Sequence, residues 1–433
     1  MEPYEAEHAA AQSALPPVGR LLSYRIEGLF GRRTIEFELA DSGPTILTGA
    51  NGCGKSTVLR TIEAVSAGKW EILSEIQFSK LVLKFDSDEE IVVQQTKDGI
   101  RVERTGQPVW VQPGSTAILL NPSSSTATLY PLTTALTGIS AITVGSSPIT
   151  YMSSAGKWPN FYVGPSQPQW IEVLSESFPV LYVPDNRREV DDSSAESVSA
   201  AAASAALDVG RIVEMGLAGY PRQAQAIDRD FPTRVTTAMA QDEQYTDSQL
   251  RELLNSVNTR QVNLRSVGLL PGDETPLEEA NLGPTNAKTV IRIFAEDMLK
   301  KFDTLESLRA KLDLFMSFIN RHYQGKEVYI DGTDGALIVD TEAPEPSIIP
   351  ANRLSSGEQQ ILILAHRVIF RAGAKTLVLI DEPELSLHVL WQDTFIDDLI
   401  QMGMLSDLNF ILATHSPTLI AGRDDLHRSL DAP

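Results

Sequence analysis

One short stretch constrains this chain more than any other. Gly49-Ala50-Asn51-Gly52-Cys53-Gly54-Lys55-Ser56-Thr57 fits the pattern G-x-x-x-x-G-K-[ST]. It follows a short apolar run, Thr45-Ile46-Leu47-Thr48, that reads as a strand, and it precedes a segment from about Ser56 to Ala67 that reads as a helix. Glycines let a backbone wrap an anion without side-chain clash. The exposed amides and the helix N-terminus then attract negative oxygens. In such a loop Lys55 reaches the β- and γ-phosphates of a nucleotide and Ser56 ligates magnesium. A glycine-rich turn with a chance lysine does not account for the strand before it and the helix after it. Cys53, inside the loop, reads as a small filler, with a redox role as the alternative.

A second feature lies far along the chain. Leu377-Val378-Leu379-Ile380 is an apolar strand that ends in two adjacent carboxylates, Asp381 and Glu382. Successive strand residues point to opposite sides, so the two can serve different functions. Asp381 suits a magnesium shell and Glu382 suits polarisation of an attacking water. The bland alternative is a solvated acidic turn. A further apolar strand, Asn409 to Ala413, closes on Thr414-His415-Ser416. A lone histidine is usually structural, but this one ends a strand that would lie beside the acidic one, where α/β sheets place ligands.

Between these ends the pattern changes several times. Residues 1–18 read as a flexible leader. Residues 19–104 read as a nucleotide-binding lobe with alternating strands at 21–26, 34–39, 80–85 and 91–94. Residues 105–207, rich in Ser, Thr, Gly and Pro, read as an irregular or β-containing insertion. Residues 208–325 read as a helical insertion, and 326–433 as the rest of the lobe. The clearest helix spans Thr289 to His322, where Met298, Phe302, Leu305, Leu308, Leu312, Phe315 and Ile319 form one apolar stripe. The stripe is too short for a coiled-coil arm, so packing within its own domain is the simpler reading.

Composition excludes several classes. Asp plus Glu outnumber Lys plus Arg, 57 to 36, for a net charge of −21, which argues against a broad basic face that coats nucleic acid. A local basic groove stays open. No run of apolar residues is long enough for a membrane span. The acidic, Ala-rich start lacks the basic and apolar regions of a secretory signal, so the expectation is a cytoplasmic protein. A single cysteine excludes an intrachain disulfide framework and a cysteine-built zinc site.

Leu354-Ser355-Ser356-Gly357-Glu358-Gln359-Gln360 opens an apolar helix before the acidic strand. As a local structure it is a capped helix start, with Ser355 or Ser356 as N-cap and Glu358 in the first turn. With the phosphate loop, Asp381-Glu382-Pro383 and His415 in this order, the chain resembles the ABC-type ATPases. The resemblance covers roughly residues 20–95 and 345–422. It implies an α/β fold: a P-loop ATPase head with a mixed β-sheet flanked by helices, split by a largely helical insertion. It implies ATP and Mg2+ as cofactors, with Gly49, Asn51, Gly52, Cys53, Gly54, Lys55, Ser56 and Thr57 around the phosphates. It implies head-to-tail dimers in which Ser355, Gly357 and Glu358 serve the nucleotide of the partner head. It makes Glu382 the general base, His415 the γ-phosphate sensor, Lys55 a catalytic cation, and Ser56 and Asp381 metal ligands. Gln77 is the candidate for the magnesium-sensing glutamine, and Phe30 or Arg32 for the adenine contact.

After Glu382 the chain reads Pro383-Glu384-Leu385-Ser386-Leu387-His388, not the Ser-Ala-Leu-Asp of transporters. That form looks like the RecF, SMC and overcoming-lysogenization-defect branch. Lys55 and Asp381 lie 326 residues apart, without the long heptads of SMC proteins. Only 18 residues follow His415, so the metal-binding nuclease domain of some relatives is not expected here. Val180 to Arg188 and Asp228 to Pro232 resemble the insert of ATPase subunits from two-gene anti-phage systems, Septu-like and PARIS-like. Arg187 and Arg188 also have a plain alternative, pairing with Glu189, Asp191 and Asp192. The expectation is therefore a regulatory ATPase of a defence system, dimeric or larger, that controls a separate effector such as a nuclease. The alternative is a RecF-like DNA-binding clamp. A transporter subunit, which would need a membrane partner, fits the motif least.

Overall fold

The computed structural model describes residues 18–97, 99–113, 116–120, 127–131, 168–184, 195–240, 245–270, 285–332, 334–385 and 389–431. In chain order the strands and helices are β1 (Leu21–Leu29), β2 (Arg33–Glu38), β3 (Thr45–Thr48), α1 (Lys55–Ser66), α2 (Trp70–Glu75), β4 (Lys80–Phe85), β5 (Glu90–Thr96), β6 (Gly99–Arg104) and β7 (Trp110–Pro113). A hairpin of β8 (Thr116–Leu120) and β9 (Ala127–Pro131), helices α3 (Gln169–Glu172) and α4 (Leu174–Ser177), and β10 (Val180–Val183) come after these. Next come α5 (Ala195–Leu217), α6 (Tyr220–Ala240), α7 (Asp247–Ser266), α8 (Thr285–Asp303) and α9 (Glu306–His322). The chain ends with β11 (Lys326–Asp331), β12 (Gly335–Asp340), β13 (Ser347–Ile349), α10 (Ser356–His366), β14 (Leu377–Asp381), α11 (Val389–Ser406), β15 (Asn409–Ala413), α12 (Pro417–Ile420) and β16 (His427–Ser429). The fold is mixed α/β, as expected.

The chain divides into two compact units. The first holds residues up to Pro184, Ala374–Pro383 and Asp407–Pro433. It contains a six-stranded antiparallel sheet, β2-β1-β4-β5-β6-β7, and a five-stranded parallel sheet, β10-β14-β15-β3-β16. The antiparallel strands alternate as their sequences do: Tyr24 and Ile26 of β1, and Ile35 and Phe37 of β2, are buried. β14 is buried at every position, which its unbroken apolar run requires. α1 turns Val58, Leu59, Ile62 and Val65 into the same core. Each such aliphatic side chain contributes about 1.5–3 kcal/mol by leaving water. A buried hydrogen bond, Tyr24 Oη to Thr61 Oγ1 at 2.9 Å, ties α1 to β1. Thr61 spends its own proton on the Val58 carbonyl, so the tyrosine is the donor.

The second unit holds residues 185–373 and 384–406. Helices α5 to α9 dominate it. A three-stranded antiparallel sheet, β11-β12-β13, and the helices α10 and α11 complete it.

Four expectations change. Thr289 to His322 is two helices, α8 and α9, not one. Tight backbone bonds from Thr304 N to Lys301 O and from Leu305 N to Phe302 O close the turn between them. The Thr304 hydroxyl takes the same Lys301 carbonyl at 2.7 Å. The apolar stripe nonetheless continues, with Phe302, Leu305, Leu312, Phe315 and Ile319 all buried. Second, residues 326–433 are not one half-lobe. β11 to β13 and α11 lie in the helical unit, and only 374–383 and 407–433 join the phosphate-loop unit, because β15 pairs in register with β3 and β14 with β15. Third, Val180–Val183 is a strand of the parallel sheet rather than part of an insertion, paired Val180↔Leu377 to Val183↔Ile380. Fourth, the expected acidic strand end leaves the strand at Glu382, whose backbone is left-handed. The leader at 1–17 and the pairings of Arg187 and Arg188 lie outside the described residues.

Within the second unit, α9 and α11 share a buried polar contact. His322 Nδ1 faces the Phe318 carbonyl at 2.7 Å, and its Nε2 lies 3.5 Å from Asp398 Oδ2. Arg321 pairs with the other oxygen of Asp398, and Asp397 is the neighbouring acid on α11. Trp391 closes the histidine edge-on. Burial pushes the Asp398 carboxyl up to about 6, with Arg321 opposing it and Asp397 adding to it. A raised carboxyl contributes stability at low pH and loses it as pH rises through about 6. The melting-temperature difference between Asp398→Asn and the native chain should therefore shift in favour of the variant between pH 5.5 and pH 8. Thermal melts at the two pH values check this, and a difference independent of pH would rule out titration of Asp398 there.

Candidate functional site

The first unit brings the phosphate loop and two strand ends together. The loop leaves β3 at Thr48 and enters α1 at Lys55. Gly54 precedes the helix with φ +111°, and a Cβ there would stand 3.0 Å from Leu29 Cδ2 and 3.3 Å from Ile35 Cδ1. Only glycine fits both the backbone and the space. No side chain caps the first turn of α1. Its amides therefore suit an anion, which the helix dipole also favours. Asn51 and Gly52 are exposed, Cys53 and Lys55 are buried, and Ser56 and Thr57 are half-buried. Cys53 packs as a filler: a Cβ on Gly49 would meet its Sγ at 2.8 Å.

Lys55 Nζ donates to the Gly49 carbonyl at 3.0 Å and meets His415 Nε2 at 2.6 Å. An ammonium has donors only, so Nε2 is the acceptor in this contact. His415 is set by a turn in which the Ser416 amide donates to Thr414 Oγ1 at 2.9 Å, while the Thr414 amide donates to Leu47 O at 3.0 Å. Ser56 Oγ donates to Asp381 Oδ1 at 3.0 Å, and Asp381 is buried. A hydroxyl and a carboxylate are hard oxygen ligands, the donor set magnesium takes alongside phosphate. Glu382 has φ +46°, and its amide donates to Ala413 O at 2.8 Å. That turn brings Glu382 Oε1 to 4.0 Å from His415 Nε2. Lys55, Ser56, Asp381, Glu382 and His415 thus form one constellation, although Lys55 and Asp381 are 326 residues apart.

Several residues around it were not anticipated. Tyr182 Oη donates to Asp381 Oδ2 at 3.2 Å. The Ala50 amide donates to Asp431 Oδ1 at 2.9 Å, His427 Nε2 lies 2.5 Å from Thr48 Oγ1, and Arg33 donates to the Cys53 carbonyl at 3.2 Å. Each joins segments well separated along the chain, which no local pattern encodes. Tyr182 had one signal, its place in an apolar run of strand type. Gln77 is exposed beside the β1–β2 turn: its carbonyl accepts from Phe30 N at 2.9 Å, and a Cβ on Gly31 would meet its Nε2 at 3.2 Å. Phe30, also exposed and with φ +55°, would lie 3.8 Å from a Cβ on Gly54.

In the second unit, Ser355 is the N-cap of α10 in a full capping box with Glu358. Ser355 and Ser356 are exposed, Gly357 is half-buried and Glu358 is buried. Burial works against the Glu358 charge, but hydrogen bonds from Lys326 and Ser355 outweigh it and hold the carboxyl below its ordinary range. Gln359, also buried, donates to the Leu354 carbonyl at 3.1 Å and stands 3.2 Å from Ser199 Oγ on α5.

Comparison with known proteins adds a domain type. The family model described as "AAA domain, putative AbiEii toxin, Type IV TA system" matches residues 242–421. That span includes Ser355 to Glu358, Asp381, Glu382 and His415, and begins after the phosphate loop. That stretch of the chain is similar to an AAA-type domain. No curated protein sequence matches it. Among solved structures, the Smc head domain of Pyrococcus furiosus with an extended coiled coil, bound to the C-terminal domain of ScpA, is 13% identical, with 93% of this chain and 91% of that chain covered and a TM-score of 0.40. A Smc head bound to the C-winged helix domain of ScpA is 12% identical over the same shares, with a TM-score of 0.41. Among the described residues, no helix is long and apolar enough to cross a membrane.

The Tyr182 contact has a measurable consequence. Tyr182→Phe removes one hydrogen bond from Asp381, the candidate magnesium ligand, and where a carboxylate holds a metal such supporting bonds contribute about tenfold in affinity. A Mg2+ titration of nucleotide binding should shift upward by that factor; an unchanged titration would mean that Tyr182 does not act on Asp381.

Proposed function

We propose that this chain is the ATP-binding and ATP-hydrolysing subunit of a prokaryotic anti-phage defence complex. It dimerises head to tail on ATP and controls a separate effector, a nuclease. The observation that carries the ATPase reading is the convergence, in one unit, of the Lys55–His415 contact at 2.6 Å, the Ser56–Asp381 contact at 3.0 Å and the Glu382–His415 approach at 4.0 Å. The defence reading is supported by the toxin–antitoxin family description over residues 242–421 and by the motif form after Glu382.

Bound ATP with Mg2+ would supply the phosphoanhydride bond and the divalent charge that offsets its negative oxygens. The chain's own residues do the rest. The amides from Gly49 to Thr57 cradle the phosphates. Lys55 exchanges its histidine and carbonyl partners for phosphate oxygens. Ser56 and Asp381 hold the metal, with Tyr182 orienting the carboxylate. Gln77, beside the β1–β2 turn, takes the magnesium-sensing role, and Phe30 or Arg32, on that turn, contacts the base. Glu382 accepts the proton of the attacking water, and His415 contacts the γ-phosphate. Ser355, Gly357 and the first turn of α10 serve the nucleotide of a second copy. The ATPase is slow and regulatory, set by dimer formation.

A second reading, a RecF-like DNA clamp, has one observation in its favour. Helices α6, α7 and α8 together carry ten basic against seven acidic side chains in a chain of net charge −21. It predicts DNA affinity that falls steeply with salt.

Two variants test the first reading. Lys55→Ala should abolish binding of a fluorescent ATP analogue. Glu382→Gln should retain binding, lose at least about 100-fold in turnover and accumulate an ATP-bound dimer on size exclusion. Native turnover by Glu382→Gln would remove the base assignment. Co-purification with the products of adjacent genes tests the effector: a nuclease partner is expected, and an isolated chain that confers no phage protection argues against the defence role.

A further inference from the structure

The contacts of Glu358 account for a residue that none of the motifs includes. Both oxygens of this buried carboxylate are engaged. Oε2 accepts from the Ser355 amide at 2.9 Å and the Ser355 hydroxyl at 2.8 Å, and Oε1 accepts from Lys326 Nζ at 2.5 Å. Lys326 is the first residue of β11, and its backbone is held by strand pairing with Asp340. The turn just before it requires glycine: Gly325 has φ +65°, and a Cβ there would come within 2.6 Å of the Glu342 carboxyl carbon. Asp340 is the nearest competing anion along the pairing, but its Oδ1 accepts from the amides of Glu342 and Ala343. Lys326 is therefore turned to Glu358. The end of α9 grips the same residue from another side, where Tyr323 Oη donates to the Glu358 carbonyl at 2.8 Å.

This arrangement meets an electrostatic need. An anion in the first turn of a helix satisfies the dipole that a phosphate would otherwise use. It also repels an incoming phosphate, most strongly where water is excluded. A buried carboxylate beside Ser355 would do both unless a cation neutralised it. It must also stay in place, because it fixes the position of the serine hydroxyl. We propose that Lys326 is a positioning residue for Ser355, acting through Glu358: it neutralises the carboxylate that holds the serine and leaves the start of α10 open to a phosphate. The proposal rests on the reading of Ser355 as a contact for the γ-phosphate of a second copy.

The test uses the full chain and three variants: Lys326→Met, Lys326→Arg, and Lys326→Met with Glu358→Gln. Lys326→Met should lower kcat about tenfold or more, as small displacements of a positioned group do. Its affinity for a fluorescent ATP analogue at the phosphate loop should stay within about twofold. Lys326→Arg should restore most of the rate. The double variant should be no worse than Lys326→Met alone, because the unpaired buried charge is gone. Hydrogen exchange gives a readout that does not need turnover. Amides at 355–358 should exchange faster in Lys326→Met and at the native rate in Lys326→Arg. Native kcat with native exchange in Lys326→Met would overturn the proposal, as would a double variant markedly slower than Lys326→Met alone. If the native chain turns over no ATP, the proposed function fails, and the exchange rates still decide whether Lys326 positions Ser355.

Discussion

Everything at the candidate site depends on the register between three parallel strands. β15 pairs with β3 as Leu412↔Ile46 and Ala413↔Leu47, and with β14 as Asp381↔Ala413. Parallel strands end on the same side, and the segments leaving their C-terminal ends share one crevice. That places the phosphate loop after β3, the Asp381–Glu382 pair at the end of β14 and His415 after β15 side by side. A slip of one residue would send the side chains at these strand ends to the opposite face. β14 is buried at every position and β15 at all but Asn409, so such a slip would also disrupt their packing in the core.

Within that frame, small pieces of backbone set the chemistry. Glu382 adopts a left-handed conformation that costs a non-glycine residue on the order of 1 kcal/mol or more. The bond from its amide to Ala413 O holds it there. A regular strand would have sent Glu382 to the face opposite Asp381; the turn instead brings its carboxylate toward His415. On the other side of the loop, Leu29 and Ile35 close on Gly54, so the β1–β2 hairpin shapes the phosphate loop by packing alone. The cost of ordering a glycine-rich loop is offset by a preformed anion cradle.

The helical unit works through charge. Three of its buried carboxylates have local partners: Glu358 with Lys326, Asp297 with Arg234, Asp208 with His366 and Arg371. Buried charges need such partners to exist as charges. The net charge of −21 is thus no bar to an anion at the loop, because backbone amides and Lys55 act over a few ångströms. It bears instead on which partner surfaces the exterior tolerates.

The local signals were legible in the sequence. The phosphate loop, the capped start of α10 and the apolar strands ending at Asp381 and Ala413 are each written in consecutive residues, because glycine tolerance, N-capping and strand burial are properties of short segments. What joins them is not local. Tyr182 on Asp381, Asp431 on the Ala50 amide and Lys326 on Glu358 are contacts between segments whose separation carries no pattern. The break between α8 and α9 was also hidden, since the apolar stripe runs through it unbroken. So was the division of the last third of the chain between two units. The sequence by itself determined which residues can hold a phosphate and a metal. Only the tertiary structure decided which of them meet, because strand register and buried charge pairing are settled by the whole core at once.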